Sequence, residues 1–432
     1  MVESVDKKKN FYIFLILFSI IIYIVGFYLN EDSAGGGAID FNHTWNNQKV
    51  FDENSLSDSL ENTKSGNIIP FKNSHFPTSY ILNKYLNPFS ADKETFRKSI
   101  FIINLFLPLV LFFGLKNIFR KKNIYLIAAY SSIVYLSPYF RTSAYWSSLE
   151  NYGLYSLVIS IYFFVKYKYC LELKENLSSK NFYIILMSFF SCCCVYFDQK
   201  LLFVPLIYLI FVIKSEKDLN SKILYLITNF FLAVPVISLI IYWGSVTPPH
   251  ITNTRSIGNF YFEQIGYSIS IIFFYLIPYI ICNYKKIIEQ IKFNKNLIST
   301  SIFILIVLFT LFFLEHDYAG WENYGKGWLN KLALIIFKNS IYQKFFIYGV
   351  FFATIMISII ILKREKILIF FTFFMCLISV ILTPIFQEYF DPLVFIILSS
   401  FFYRNDELND YFVTTAYLFS FVFLLFTNVY YL

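Results

Sequence analysis

Charge is what this chain has least of. Of 432 residues, 15% are Asp, Glu, Lys or Arg, while 57% are hydrophobic and 22% are aromatic. A water-soluble domain of this size carries far more charge than that, and a disordered chain far less apolar side chain, so both classes are excluded. Cysteine is scarce too. The six present, Cys170, Cys192, Cys193, Cys194, Cys282 and Cys376, fall inside apolar runs or at their ends. That leaves no disulfide framework, and no Cys-x-x-Cys pair exists to bind a metal. Histidine is scarcer still: His43, His75, His250 and His316 are widely spaced, and no His-Glu-x-x-His motif occurs. The alternation of apolar and polar residues that builds a membrane barrel is missing as well.

Long apolar runs are present in its place. Each stretch of roughly 17 to 21 apolar residues can cross a hydrocarbon core of about 30 Å as a helix. The runs lie at 11–29, 99–119, 123–140, 151–169, 182–198, 201–213, 223–243, 266–283, 297–314, 345–362, 367–385, 392–403 and 411–431. The expected fold is an all-α polytopic membrane protein, one integral-membrane domain over 1–432 with about 13 transmembrane helices. The run 201–213 and the run 392–403 are the shortest. The first run follows Lys7-Lys8-Lys9 as a signal peptide would, but it is longer than a usual signal core, so it is expected to remain as an anchor.

Positive residues orient the chain. With Lys7-Lys8-Lys9 on the cytoplasmic side, basic clusters recur in every second loop: Arg120-Lys121-Lys122, Lys166 to Lys180, Lys214 to Lys222, Lys285 to Lys295 and Lys363-Arg364-Lys366. Most of the 36 basic residues then lie inside and most of the 28 acids outside. The net charge of +8 is therefore a topology signal and not a nucleic-acid-binding surface. The richness in Ile, Lys, Asn, Phe and Tyr points to a low-GC genome. The expected location is a bacterial inner membrane, with the N-terminus cytoplasmic.

On this orientation a polar first loop, 30–98, lies on the extracytoplasmic side, joined there by outer loops 141–150, 244–265 and 315–344. Loops this long are usually functional. It opens on Glu31-Asp32, passes a Gly35-Gly36-Gly37 run to Asp40, and later carries His75-Phe76-Pro77-Thr78-Ser79-Tyr80. The glycines let the chain fold back without side-chain obstruction, which would set a carboxylate at the mouth of a cavity between helices; read alone, the same stretch is a flexible linker.

An acid just after the first span, followed by a His/Pro/Tyr segment in the same loop, resembles the GT-C superfamily of integral-membrane glycosyltransferases. The likeness is to the protein O-mannosyltransferase and aminoarabinose-transferase type, which carries a His-Pro-Pro-Leu-Tyr stretch. It extends to the α-1,2-glucosyltransferases that cap lipid-linked oligosaccharide, whose Asp-Glu-x-Phe-His element is similar to Asp40-Phe41-Asn42-His43 and whose late Arg-Tyr-Tyr-x-x-Pro is similar to Gln387-Glu388-Tyr389-Phe390-Asp391-Pro392. This chain has one Pro where those relatives tend to have two, and Gln387-Glu388 where an Arg is expected. The resemblance implies a GT-C-like bundle that transfers a sugar from a polyprenyl-phosphate donor to a glycan, lipid or protein acceptor in cell-envelope polysaccharide biosynthesis, with inversion.

That chemistry asks for one carboxylate to take the acceptor's proton and for cations to hold the departing phosphate. Asp40 is the first candidate base and Asp32 the second, with Glu31 as a partner to metal or substrate. Candidate binding residues are His75, Tyr80, Arg141, Glu150, Asp198, Lys200, His250, Arg255, Gln387 and Tyr389. Asp198 and Lys200 separate two short apolar runs, where charge is costly unless paired or wet. Glu150 has a second reading, as an acid favoured by the dipole of the helix that follows. Trp146 could stack on a sugar, although interfacial anchoring is the commoner use of such a residue. The Cys192 to Cys194 triplet reads as helix packing. Trp321, Tyr324, Trp328 and Leu329 read as an interfacial helix. No Asp-x-Asp pair occurs in the first loop, so a divalent metal has room but no motif. The rival classes are an O-antigen-type polymerase, a flippase or transporter of lipid-linked sugars, and a non-catalytic subunit of a polysaccharide assembly. A transporter should show broken spans in two related halves, which are not evident here.

Overall fold

A computed structural model describes residues 2–173, 177–249, 261–262, 264–293, 299, 302, 306, 325–362, 366–381, 385–402 and 407–431. All regular structure among them is helical. The chain divides into two compact units, Met1–Arg255 with Ser420–Leu432, and Ser256–Phe419.

Among the described residues, eight helices are long and apolar enough to cross a membrane: Lys7–Tyr28, Lys93–Ile118, Asn151–Leu173, Ser178–Phe197, Leu219–Trp243, Gln264–Lys292, Ser340–Ile357 and Asp410–Tyr431. The thirteen runs of the sequence do not all become such helices. The stretch Ile124–Leu136 is helical but short, and the described part of the run 367–385 is helical over Lys366–Ile381. The run 201–213 becomes a helix of 13 residues, Phe203–Ser215, which rises only about 20 Å. The run 392–403 becomes a 5-residue helix, Leu393–Ile397, followed by a wider turn. The run 297–314 lies outside the described residues. Apolar length alone does not fix the number of spans, because a buried core helix and a membrane helix share the same composition.

In the first unit, α1 (Val2–Tyr28) leads into three helices of the polar loop, α2 (Gly37–Glu53), α3 (Leu56–Ser65) and α4 (Thr78–Leu86). The chain returns through α5 (Lys93–Asn104) and α6 (Leu107–Ile118), then α7 (Ile124–Ser132), α8 (Pro138–Tyr145), α9 (Asn151–Leu173), α10 (Leu177–Phe197), α11 (Phe203–Ser215) and α12 (Leu219–Trp243). Local signals set the boundaries. Ser55 caps α3 by accepting from the Asp58 N–H at 3.2 Å, and Asp92 caps α5 by accepting from Glu94 and Thr95 at 3.1 and 2.9 Å. Ser137 caps α8 just before Pro138, which has no N–H to satisfy. Gly244 closes α12 in the left-handed region.

The polar loop is a folded layer. Phe41, Phe51, Phe71 and Tyr80 pack with Phe96 and Ile100 of α5 and with Leu149 into one buried cluster. Each fully buried Phe stabilises by about 1.5–3 kcal/mol, which accounts for the ordering of a loop with so many polar residues. The end of α12 fastens to this layer: Trp243 stacks on Phe76 with centroids 5.7 Å apart and donates to Thr63 Oγ1 at 2.9 Å. Few α12 side chains are fully buried, although the helix packs on α10 and α11, as a helix with one face to lipid does.

Gly37, the first residue of α2, is where this layer meets α8. A Cβ there would lie 2.5 Å from Trp146 Cδ1 and 2.7 Å from Thr142 Cγ2. Gly37→Ala is expected to lower the thermal midpoint in detergent by an amount equivalent to about 1–3 kcal/mol of overpacking. An unchanged midpoint would mean that α2 is not seated on α8.

In the second unit, α13 (Gln264–Phe293) packs against α14 (Gly327–Ile336), α15 (Ser340–Leu362) and α16 (Lys366–Ile381). Leu329 and Ala333 of α14 are buried with Tyr267 and Ile347, so this short helix contributes to the unit's core. The described part of the expected interfacial segment is thus packed against protein, while Trp321 and Tyr324 lie outside the described residues. The chain continues through α17 (Leu393–Ile397) to α18 (Asp410–Tyr431).

Candidate active site at one end of the first unit

Helices α9 and α10 pack along each other. The start of α9 and the end of α10 therefore meet, bringing Glu150 beside Asp198 and Lys200, residues far apart in sequence. The His75 segment of the polar layer closes over them. His75 Nε2 lies 2.8 Å from Glu150 Oε1, and its Nδ1 lies 2.8 Å from Gln199 Oε1 and 3.9 Å from Asp198 Oδ1. Lys200 Nζ is 2.8 Å from Asp198 Oδ2 and 3.9 Å from Glu150 Oε2. Asp198 also caps the short turn that follows, accepting from the Lys200 N–H at 3.1 Å. The side chain of Asp198 is 3% exposed and that of His75 is 18%, whereas Glu150 reaches 36%. A buried carboxylate is tolerable here because two cationic groups face it.

Gln199 completes the enclosure of His75 by donating to the Ser74 carbonyl at 3.0 Å. Burial opposes the imidazolium, but the charge and hydrogen bond of Glu150 and the charge of Asp198 outweigh it, even against Lys200, and His75 titrates above its ordinary value. Folding thus favours protonated His75. That stabilisation is complete below the unfolded value of about 6.5 and is lost as pH rises through the raised folded value. The parent's advantage in thermal midpoint over His75→Gln is expected to shrink from about pH 6 to about pH 9. A constant difference would mean that His75 does not titrate against these acids.

Asp40, in the first turn of α2, lies within electrostatic reach of both Glu150 and Asp32. Its side chain is exposed to solvent. Partial burial raises its titration, His43 pulls it down, and the charges of Glu150 and Asp32 push it up, for a net rise above the ordinary carboxylate range.

Asp32 differs in its commitments. Its Oδ2 accepts the Gly37 N–H at 2.9 Å, taking the place of a side-chain cap on α2, whose N-cap residue is Gly36 in the left-handed region. Its Oδ1 is buried with no hydrogen-bond partner among the described residues. Burial raises Asp32 as well, and the backbone N–H groups of the turn, Gly37 foremost, only partly offset that rise. The glycine run folds the chain back as its sequence implies, and Asp32 holds the fold-back closed.

Glu31 and Arg141 form a buried pair. Glu31 Oε1 accepts from Arg141 Nε at 2.7 Å, and Oε2 accepts from Nη2. Arg141 also donates to the Tyr135 and Ile22 carbonyls, each at 3.1 Å. Both groups are thus occupied by one another and by the packing of α1 against α8. Trp146 donates its indole N–H to the Glu31 carbonyl at 3.0 Å, and the Arg97 guanidinium lies 4.3 Å from its ring centroid. Arg97 in turn donates to the Tyr145 carbonyl at 2.7 Å and to Asn30 Oδ1 at 2.8 Å.

Tyr80 is fully buried in the polar layer, its hydroxyl taking the Asn73 and Asn47 amides at 2.7 and 3.3 Å. It supports the His75 segment from within. Gln387 and Tyr389 belong to the second unit, where Gln387 Oε1 accepts the Trp328 N–H at 2.9 Å and its amide donates to Tyr275 at 3.1 Å. His250 and Arg255 lie outside the described residues.

Of the sequence candidates, Asp40, Asp32, His75, Glu150, Asp198 and Lys200 are thus neighbours. Gln199 and Arg97 were not singled out in the sequence. Gln199 stands between two candidates and was legible by position; nothing in sequence spacing marks Arg97, which lies near the start of a helical stretch of membrane length. For the divalent metal, the described residues offer no group of three or more His, Cys, Asp or Glu side chains arranged to hold an ion. Comparison with protein-family models finds no match, and none is found among curated proteins or solved structures.

Proposed function

We propose that this protein is a membrane glycosyltransferase of GT-C type that moves a sugar from a polyprenyl-phosphate donor to an acceptor hydroxyl at the extracytoplasmic face, with Asp40 as general base. The observation that carries the reading is the convergence of Asp40, Glu150, His75, Asp198 and Lys200 at one end of the first unit. The opposite end bears Arg120-Lys121-Lys122 and the Lys180–Glu216 pair, the basic side expected to face the cytoplasm.

Asp40 suits the role because it is reachable by solvent and more basic than an ordinary carboxylate. It takes the proton of the acceptor hydroxyl as that oxygen bonds to the anomeric carbon. The bond from that carbon to the phosphate oxygen breaks, its electron pair leaves with the lipid phosphate, and the configuration inverts. Lys200 and protonated His75 supply positive charge for the phosphate. A second acid is unnecessary because the phosphate departs as an anion, unlike the alcohol released in glycoside hydrolysis. Glycan, lipid and protein acceptors all offer the hydroxyl this chemistry requires.

The test is transfer by the purified chain in lipid nanodiscs, using radiolabelled polyprenyl-phosphate sugars and a glycolipid extract as acceptor. Radiolabel is expected to appear in the acceptor fraction. Donor that is bound or moved across the bilayer yet never transferred would replace this reading with a flippase.

A further inference from the structure

The carboxylate cluster leaves the other end of the first unit unexplained. There α6 and α9 part to form an open groove of about 610 Å³. Val110 and Phe113 of α6 and Ile159 and Phe163 of α9 line its apolar part, and Lys116 and Arg120 stand at its end. The helical stretch carrying its α6 wall, Lys93–Ile118, is long and apolar enough to cross a membrane. The groove therefore opens on hydrocarbon, and its cations sit where the last helical turn gives way to the loop, at headgroup level.

Three features define what fits. Lys116 and Arg120 are exposed, and neither is among the ion pairs formed by the described residues. Arg120 is held in place, its guanidinium 3.5 Å from the centroid of the Tyr169 ring, while the Tyr169 hydroxyl donates to the Asn117 carbonyl at 2.6 Å. From Val110 to Ile118 the apolar wall rises about 12 Å, room for much of an acyl chain. A free phosphate would gain nothing from that wall, and a neutral lipid would leave both cations without an anionic partner.

We infer that this groove holds one anionic phospholipid of the cytoplasmic leaflet, its phosphate between Lys116 and Arg120 and an acyl chain against Phe113, Ile159 and Phe163. Lys166, whose Nζ lies 5.6 Å from the Tyr162 ring centroid on the same groove, adds a third positive charge to this end. Basic pockets between membrane helices recognise anionic headgroups in this way. The site lies about two to three turns and more along α9 from Glu150 and asks nothing of the transferase reading.

The experiment is native mass spectrometry of the full chain, purified and exchanged into detergent containing phosphatidylglycerol or phosphatidylcholine. One phosphatidylglycerol is expected to be retained in preference to phosphatidylcholine. Lys116→Gln/Arg120→Gln should weaken that retention roughly 30-fold, two interfacial cations' worth. Lys116→Arg should retain it. Lys121→Gln/Lys122→Gln, which removes equal charge from the same end, should leave it unchanged. Ile159→Trp should block it by filling the groove. Equal retention of the two lipids, parental retention by the Lys116/Arg120 variant, equal loss in the Lys121/Lys122 control, or displacement by inorganic phosphate would overturn the inference.

Discussion

Asp40→Asn is expected to lower sugar transfer by about 10²–10⁴-fold while donor retention in the nanodisc stays at the parental level. The asparagine keeps the size of the side chain and its place in the first turn of α2, and it loses only the capacity to accept a proton. Asp32→Asn should behave differently. It replaces the carboxylate that accepts the Gly37 N–H, so its deficit should appear in thermal stability along with rate. The two variants therefore separate a base from the residue that positions it. The pH profile adds a second readout. The rising limb of kcat/KM should pass through an apparent pKa above the ordinary carboxylate range, because burial and the charges of Glu150 and Asp32 raise Asp40. Glu150→Gln removes one of those charges and should move the limb down. Folded Asp40 holds its proton more tightly than the unfolded chain does, so it contributes less stability as pH rises from the ordinary value to the raised one. Asp40→Asn should then be at least as stable as the parent near neutrality, a combination of full stability and lost turnover that a structural acid would not give. Parental turnover in Asp40→Asn would remove Asp40 from the mechanism.

The helical, membrane-crossing character was legible because composition decides it: with this little charge and apolar runs of membrane length, lipid is the only solvent that suits the chain. The acids and the His75 segment were legible because polar residues in a greasy chain are few. The number of crossings was not, since Ile124–Leu136 and Phe203–Ser215 read like spans yet form only short helices. The roles inside the first loop were not legible either. Adjacent acids look equivalent in sequence, but Glu31 turns toward Arg141 and Asp32 toward the Gly37 amide, leaving Asp40 the accessible one. Tyr80 carries a polar tip in a polar loop and so reads as a ligand, whereas the Asn47 and Asn73 amides satisfy that tip inside a core. Partners such as these are set by packing between distant segments, which spacing along the chain does not encode.

Arg141→Met should destabilise the protein by about 3–5 kcal/mol, because it strands the Glu31 carboxylate beside α1 with no counter-charge. The Arg141 side chain is 1% exposed and that of Glu31 is 13%, so water cannot replace the lost partner at little cost. The Tyr135 and Ile22 carbonyls lose donors in the same step, and each lost bond adds to the deficit. Gly26 shows how closely the pair is built in, since a Cβ on that residue would collide with both Arg141 Nη2 and Glu31 Oε2. The informative comparison is the double variant Arg141→Met/Glu31→Gln. It removes the stranded charge and should recover much of the thermal midpoint lost in the single variant, because a buried ion pair offsets its own desolvation with little to spare. Restored stability need not restore activity. The Glu31 carbonyl receives the Trp146 indole N–H, and Trp146 with Thr142 forms the surface on which Gly37 and the start of α2 rest. Asp40 lies one turn further along that helix, so under the proposed mechanism the pair holds the base in place. A recovered midpoint with transfer still depressed would assign it that positioning role; a single variant as stable as the parent would mean that the pair is not buried as described.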